Sequence, residues 1–136
     1  MRLVLDTNVV VSGLLWRGTP RLLLERARER RVELFTSIPL LAELTETLRR
    51  SKFENKVAAS LLTVDQIVDG YAALARLVRP EATPRISPDP DDDIVIGTAL
   101  AARADSIISG DSHLLDLVNF RGIDIVTAAV MVSRIK

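Results

Sequence analysis

Acidic residues are concentrated directly before one apolar segment of this chain, and their spacing indicates metal chemistry. Three consecutive carboxylates, Asp91, Asp92 and Asp93, precede the apolar segment that begins at Ile94. A single carboxylate is enough to cap the start of a helix and to interact with its dipole. Three of them at the start of a buried helix therefore predict a site that concentrates negative charge for a divalent cation.

Further carboxylates follow the predicted strands. Asp6 follows the first strand, Asp111 follows the fourth, and Glu43 lies in the second turn of the helix after the second strand. In a parallel α/β sheet, the carboxyl ends of the strands and the starts of the following helices share one edge, where ligands bind. We therefore expect these three acids to lie close to the acidic run.

Helical-wheel positions rank the acids within each segment. Asp93 shares a face with Ile96, the face expected to turn inward, so Asp93 is the preferred ligand of the acidic run. Asp92 is a second candidate, acting through a water molecule or as a helix cap. Glu43 is preferred to Glu46, because Glu46 points away from the leucine stripe of its helix.

This set of oxygen ligands selects a particular class of ion. Carboxylates without His or Cys favour Mg²⁺ or Mn²⁺ over zinc. Such ions generate a hydroxide nucleophile, hold a phosphate group and neutralise the charge that develops during its displacement. The sequence therefore predicts metal-assisted phosphodiester hydrolysis by an acidic set, namely Asp6, Glu43, Asp93 and Asp111.

Short strands alternate with helices along the chain, which predicts a three-layer α/β/α sandwich around a mainly parallel, five-stranded sheet. The strands are predicted at residues 2–5, 32–35, 77–79, 106–109 and 123–126, and the helices at residues 21–31, 54–62, 63–75, 93–103 and 127–134, with two more around Leu44 and Leu114. Residues 80–90 contain four of the six prolines and are predicted to form a loop. Asp6-Thr7-Asn8 has the composition of a turn.

Length and composition narrow the class of protein. The 136 residues fit a single domain spanning 1–136. The sequence has no apolar run of the roughly 18 residues that a membrane helix needs, and Asp6 comes too early for a signal peptide. Cysteine is absent, which excludes disulfides and thiolate metal sites. These features predict a cytoplasmic protein with no membrane partner.

Four segments together resemble the PIN domain in order and spacing. They are Leu5-Asp6-Thr7-Asn8-Val9, Leu41-Ala42-Glu43-Leu44, Asp89-Pro90-Asp91-Asp92-Asp93 and Ser109-Gly110-Asp111. The likeness extends over the whole chain. It is greatest for the branch of PIN domains that act as toxins of bacterial and archaeal toxin–antitoxin pairs, to which the VapC toxins are related.

The resemblance implies a sheet with strand order 3-2-1-4-5 and a Mg²⁺- or Mn²⁺-dependent endoribonuclease, the toxin of such a pair. Carried over by position, the acidic quartet of the family falls on Asp6, Glu43, Asp93 and Asp111. Asn8 matches the asparagine that supports the first acid by hydrogen bonding. His113 is a departure, since many relatives have a further acid there, and the second ion is then expected to be weaker.

The sequence leaves alternatives open. Apolar residues between 57 and 75 exceed what one small core needs, which indicates a homodimer or a groove for a separate antitoxin chain. A non-catalytic module that binds RNA or protein is the alternative to a nuclease. A phosphatase of the haloacid dehalogenase type fits less well, because it needs an acid where this chain has Asn8. His113 is either a general base or a solvated residue, and base rates favour the second.

Overall fold

A six-stranded sheet runs through the middle of the protein in the order β3-β2-β1-β4-β6-β5. The structure is a computed structural model, and it describes residues 1–83, 85 and 88–135. The strands are β1 (Arg2–Leu5), β2 (Glu33–Thr36), β3 (Arg76–Leu77), β4 (Ser106–Ile108), β5 (Asn119–Phe120) and β6 (Ile123–Val126). All neighbouring strands pair in parallel except β5 and β6, which are antiparallel.

Helices connect the strands and cover both faces of the sheet. They are α1 (Thr7–Leu15), α2 (Thr19–Arg28), α3 (Ile38–Leu48), α4 (Glu54–Ala59), α5 (Val64–Leu74), α6 (Pro90–Ala102), α7 (Ser112–Leu117) and α8 (Ala128–Ile135). A single 3₁₀ turn, Ser51–Phe53, precedes α4. The predicted capping box is confirmed, because the Thr63 hydroxyl accepts from Gln66 N and the Gln66 side chain accepts from Thr63 N.

Strand alternation divides the core into two layers. On β1, Leu3 and Leu5 face one apolar cluster, and Val4 faces the other. The first cluster packs against α1, α2, α3, α5 and α8, whereas the second packs against α6 and α7. The predicted three-layer α/β/α architecture is therefore confirmed.

The strand order reverses at β1, which pairs with β2 on one side and with β4 on the other. The chain adds β2 and β3 in one direction and then returns to add β4 and β6 in the opposite direction. Such a reversal leaves a crevice outside the carboxyl ends of the central strands, where α/β proteins bind ligands. The segments that follow β1, β2 and β4 all begin at this edge.

Helix α1 was not predicted from the sequence. Val9, Val10 and Val11 are β-branched and Gly13 is flexible, so local helix propensity is low. Burial overrides propensity here, because these four residues are all buried in the first core layer or against α2. The Asp6 side chain caps the helix and accepts a hydrogen bond from Thr7 N.

The sheet has one strand more than predicted. Asn119–Phe120 forms the short edge strand β5 and turns back into β6 through Arg121 and Gly122. Both turn residues have positive φ values, 50° and 87°, which is typical of a tight hairpin turn. The predicted order 3-2-1-4-5 holds for the five strands expected, with residues 123–126 numbered β6 and the added strand outside them.

Helix α6 begins three residues earlier than predicted. Asp89 caps it by accepting a hydrogen bond from Asp91 N at 2.9 Å, and Pro90 occupies the first helical position. Gly97 lies against the segment before the helix, where Glu81 N donates a hydrogen bond to Gly97 O at 3.0 Å. The predicted loop 80–90 includes positions 84, 86 and 87, which lie outside the described residues.

Among the described residues, no single helix is long and apolar enough to span a membrane. Ser51–Ala59 and Val64–Leu74 reach that length and composition only as a pair, and they are bent by 76° relative to each other.

Candidate active site

The carboxylate of Asp6 is buried at the carboxyl end of β1. Its Oδ1 accepts a hydrogen bond from Thr7 N and its Oδ2 accepts one from Ser109 Oγ, each at 2.8 Å. Burial raises the pKa of Asp6, and these two hydrogen bonds lower it. The negative charges of Asp111 and Asp89 raise this pKa further. A buried carboxylate beside like charges favours the arrival of a positive charge.

The pairing of β1 with β4 brings Asp111 close to Asp6. Asp6 N donates to Ile108 O at 2.9 Å, so the residues that follow the two strands start side by side. Ser109 Oγ, which donates to Asp6, also accepts a hydrogen bond from Asp111 N at 3.0 Å. Asp111 Oδ1 in turn accepts from His113 N at 3.1 Å and caps the short helix α7. One hydroxyl therefore connects the two acidic segments.

Glu43 reaches the same edge from the second turn of α3. Burial raises the pKa of Glu43 to about 7, and the nearby negative charge of Asp91 also raises it. A hydrogen bond from the Thr7 side chain lowers this pKa, whereas the charge of Asp6 raises it. Glu46 is exposed, as expected from its place on the helical wheel. Glu43 therefore lies within electrostatic range of Asp6, which follows β1, and of Asp91 at the start of α6.

The start of α6 turns Asp92 inward. Asp92 is only 4% exposed, whereas Asp93 is partly exposed. One ligand atom from each of Asp92, Asp111 and His113 lies within 4.8 Å of the other two. This differs from the sequence expectation, in which Asp93 shares the inward face with Ile96. The orientation of α6 instead puts Asp92 on the buried side, because the sheet packs against that side of the helix.

Ser109 and His113 lie beside these acids, although the sequence identified neither as a ligand or support, and Asn8 stays a predicted support of Asp6. Asn8 is exposed. The carboxylate of Asp6 accepts hydrogen bonds from Thr7 N and Ser109 Oγ. Ser109 directly follows β4, the strand next to β1, and that position was a usable signal. For His113, base rates favour a solvated residue over a general base, yet it lies only two residues beyond the predicted ligand Asp111. The position of His113 two residues after Asp111 is the sequence signal that points to a place in the site.

The acids of all four segments are electrostatically coupled. The charge of Asp6 acts on Glu43, and the charge of Asp111 acts on Asp6. Asp92 then shares a potential ligand cluster with Asp111. Carboxylates that are buried and repel one another are stabilised by a dication, and oxygen ligands suit hard ions such as Mg²⁺ and Mn²⁺. These residues therefore fit a divalent metal centre.

Residues 2–113 match the family model described as "PIN domain". The matched segment includes Asp6, Glu43, Asp92 and Asp111, and it ends at His113. The chain belongs to the PIN domain family. No curated protein matches this PIN domain in sequence.

The fold of this PIN domain is also similar to a solved structure, described as the crystal structure of VapBC2 from Rickettsia felis bound to a DNA fragment from their promoter. The TM-score is 0.61, and the alignment covers 92% of this chain and 97% of that chain. Sequence identity is 14%, so the likeness establishes the fold. The expected membership of the PIN family is confirmed by the family match and by this fold together.

Proposed function

We propose that this PIN domain is a Mg²⁺- or Mn²⁺-dependent endoribonuclease that hydrolyses RNA phosphodiester bonds. The observation that supports it most is the convergence of four separate segments on one sheet edge, where their acids are mutually coupled. The pKa values of Asp6 and Glu43 are both raised, chiefly by burial, which makes their charged forms costly without a cation. Membership of the PIN family supports the same conclusion.

Each segment has a defined task in this proposal. Asp6, held by two hydrogen bonds, and Asp111 supply fixed oxygen ligands from the central strands. Glu43 faces them from α3, and Asp92 closes the set from α6. When bound, the cation would activate water and neutralise charge on the phosphate. The residues themselves bind and orient the ion, and the α6 start keeps one carboxylate away from bulk solvent.

Asp93 remains a predicted ligand on the strength of the sequence. Its side chain is partly exposed at the same helix start, one residue from buried Asp92. Of the two, the proposal favours buried Asp92 as the ligand, and substituting each residue in turn tests that choice.

The test is RNA cleavage by purified protein with Mg²⁺ or Mn²⁺, with and without EDTA. We expect cleavage to stop with EDTA and to fall by more than about 100-fold in Asp6→Asn, because even partners outside the ligand shell typically contribute 10–100-fold. Asp116→Asn is the matched control, since Asp116 is an exposed acid on α7. Unchanged cleavage by Asp6→Asn would reject the assignment. A protein that binds RNA but neither cleaves it nor binds the ions would be the non-catalytic module instead.

We further propose that the enzyme is the cytoplasmic toxin of a toxin–antitoxin pair. The solved structure with a similar fold is a VapBC2 complex, and exposed apolar residues on the α4–α5 turn offer a surface for a separate antitoxin chain or a second copy. Leu61 is 91% exposed and Leu62 is 48% exposed. Expression of the wild-type chain should arrest bacterial growth, and expression of Asp6→Asn should not. Equal growth of the two cultures would count against a toxin role.

Homodimer formation is tested separately by size-exclusion chromatography with light scattering, which measures the molecular mass of the protein in solution. A homodimer should dissociate in Leu61→Ser, because an exposed leucine contributes to association only when it is buried by a partner. The monomeric mass for the wild-type protein would contradict the homodimer.

A further inference from the structure

His113 is placed to act as more than a surface residue. It lies in the first turn of α7, and its backbone N donates to Asp111 Oδ1 at 3.1 Å. Its ring Nδ1 lies 3.7 Å from the same carboxylate oxygen. The His113 side chain is 60% exposed, so core packing does not account for the direction in which the ring points. The ring faces the acids of the metal centre.

The distances suit a shared ion. Ligand atoms of Asp92, Asp111 and His113 lie within 4.8 Å of one another. Atoms on opposite sides of one ion, each bonded at 2.0–2.2 Å, are about 4.2 Å apart. A small rotation of the exposed imidazole would bring its nitrogen within bonding distance of an ion held by Asp111 and by the buried carboxylate of Asp92.

We infer that His113 is a nitrogen ligand of the proposed ion and that it biases the site towards Mn²⁺ over Mg²⁺. The inference rests on the proposed function, since it concerns the ion of that same site. Mg²⁺ binds oxygen almost exclusively and holds its water tightly, whereas imidazole is a good ligand for transition metals. A centre with two carboxylates and an imidazole therefore differs from one with carboxylates alone.

The chain offers an unusually clean spectroscopic test, because His113 is its only histidine. Pulsed EPR of the Mn²⁺-loaded, tag-free protein detects nitrogen bonded directly to the ion. We expect this nitrogen coupling in the wild-type protein and its loss in His113→Ala and His113→Asp. Asp116→Asn, altered on the same helix, should retain the coupling.

Calorimetric titration with Mn²⁺ and with Mg²⁺ gives a second readout that does not depend on activity. We expect His113→Ala to lose about tenfold or more in Mn²⁺ affinity, in line with the effect of altering groups around a metal. In His113→Asp, Mg²⁺ affinity should rise relative to Mn²⁺ affinity, because the new ligand is an oxygen. Because His113 is exposed, both variants should fold, and circular dichroism checks this.

The outcomes separate the inference from the function on which it rests. Mn²⁺ binding without nitrogen coupling would overturn the role of His113 and leave the acidic metal centre intact. An unchanged ratio of Mn²⁺ to Mg²⁺ affinity in His113→Asp would also overturn it. No Mn²⁺ binding by the wild-type protein at millimolar concentration would overturn the proposed function, and the inference with it.

Discussion

Ser109 Oγ donates a hydrogen bond of 2.8 Å to Asp6 Oδ2 and thereby joins residues that are 103 positions apart. The same oxygen accepts a hydrogen bond from Asp111 N at 3.0 Å. Ser109 is 1% exposed and directly follows β4, so its hydroxyl is held between the two acidic segments. This arrangement fixes the position of Asp6 relative to Asp111 independently of any ion.

Ser109→Ala should weaken the metal centre and the fold together. The substitution removes one of the two hydrogen bonds of the buried Asp6 carboxylate. If that oxygen finds no other donor, the free energy of unfolding should fall by about 1–3 kcal/mol. The pKa of Asp6 should rise further, and Mn²⁺ affinity should fall by about tenfold. Urea denaturation and calorimetric titration measure the two effects. Ser112→Ala, at an exposed serine of the same segment, is the control. Wild-type Mn²⁺ affinity in Ser109→Ala would show that this hydroxyl does not position the ligand.

Asp92→Asn and Asp93→Asn form a matched pair that identifies the ligand at the α6 start. Asp92 is buried beside Asp111, so we expect its substitution to reduce RNA cleavage by about 100-fold or more. Asp93→Asn should change cleavage by less than about threefold, because the partly exposed Asp93 side chain is screened by solvent. The measurement is the rate of RNA cleavage by each variant at saturating Mn²⁺. The reverse order of effects would establish Asp93 as the ligand, as the sequence predicts.

The stability of the metal-free protein should fall as the pH rises from about 4.5 to 7. The pKa of Glu43 is raised from 4.5 to about 7, so the folded state binds a proton that the unfolded state has released in this range. The raised pKa of Asp6 acts in the same direction. Glu43 is partly exposed, so its contribution is on the order of 1 kcal/mol after solvent screening.

Urea denaturation of the metal-free protein at a series of pH values measures this slope. Glu43→Gln should flatten it, and Mg²⁺ or Mn²⁺ should stabilise the wild-type protein more at pH 7 than at pH 5, because the acids are charged at the higher pH. Glu46→Gln, at an exposed position of the same helix, should leave the slope unchanged. Identical slopes for the wild-type protein and Glu43→Gln would contradict the electrostatic description of the site.

Gly97→Ala and Gly70→Ala should change stability in opposite directions. A Cβ at position 97 would lie 2.4 Å from Glu81 O, so the segment that packs on α6 must move, at a cost of about 1–3 kcal/mol. A Cβ at position 70, inside α5, meets no atom within 4 Å. Alanine there should raise the free energy of unfolding by about 0.5–1 kcal/mol. Urea denaturation gives both values. Equal stability of the two variants would mean that residue 81 does not pack against α6.

Much of the secondary structure follows from local sequence rules. β1 and β6 occur at the predicted residues, because short apolar runs bounded by turn or polar residues define strands well. Helix α5 begins at its predicted capping box. Helix α1 was missed, because three consecutive valines disfavour a helix in isolation and only burial on the sheet stabilises it.

The sequence by itself determined that acids follow β1, β2 and β4 and lie at the start of α6. That these acids meet at one sheet edge follows from element order and parallel pairing alone. The tertiary structure decided which atoms face the centre. Helix α6 is apolar around nearly its whole circumference, so its rotation is set by the sheet on one side and by Glu81 on Gly97 on the other. That packing turns Asp92 inward, while the pairing of β1 with β4 brings Ser109 to Asp6.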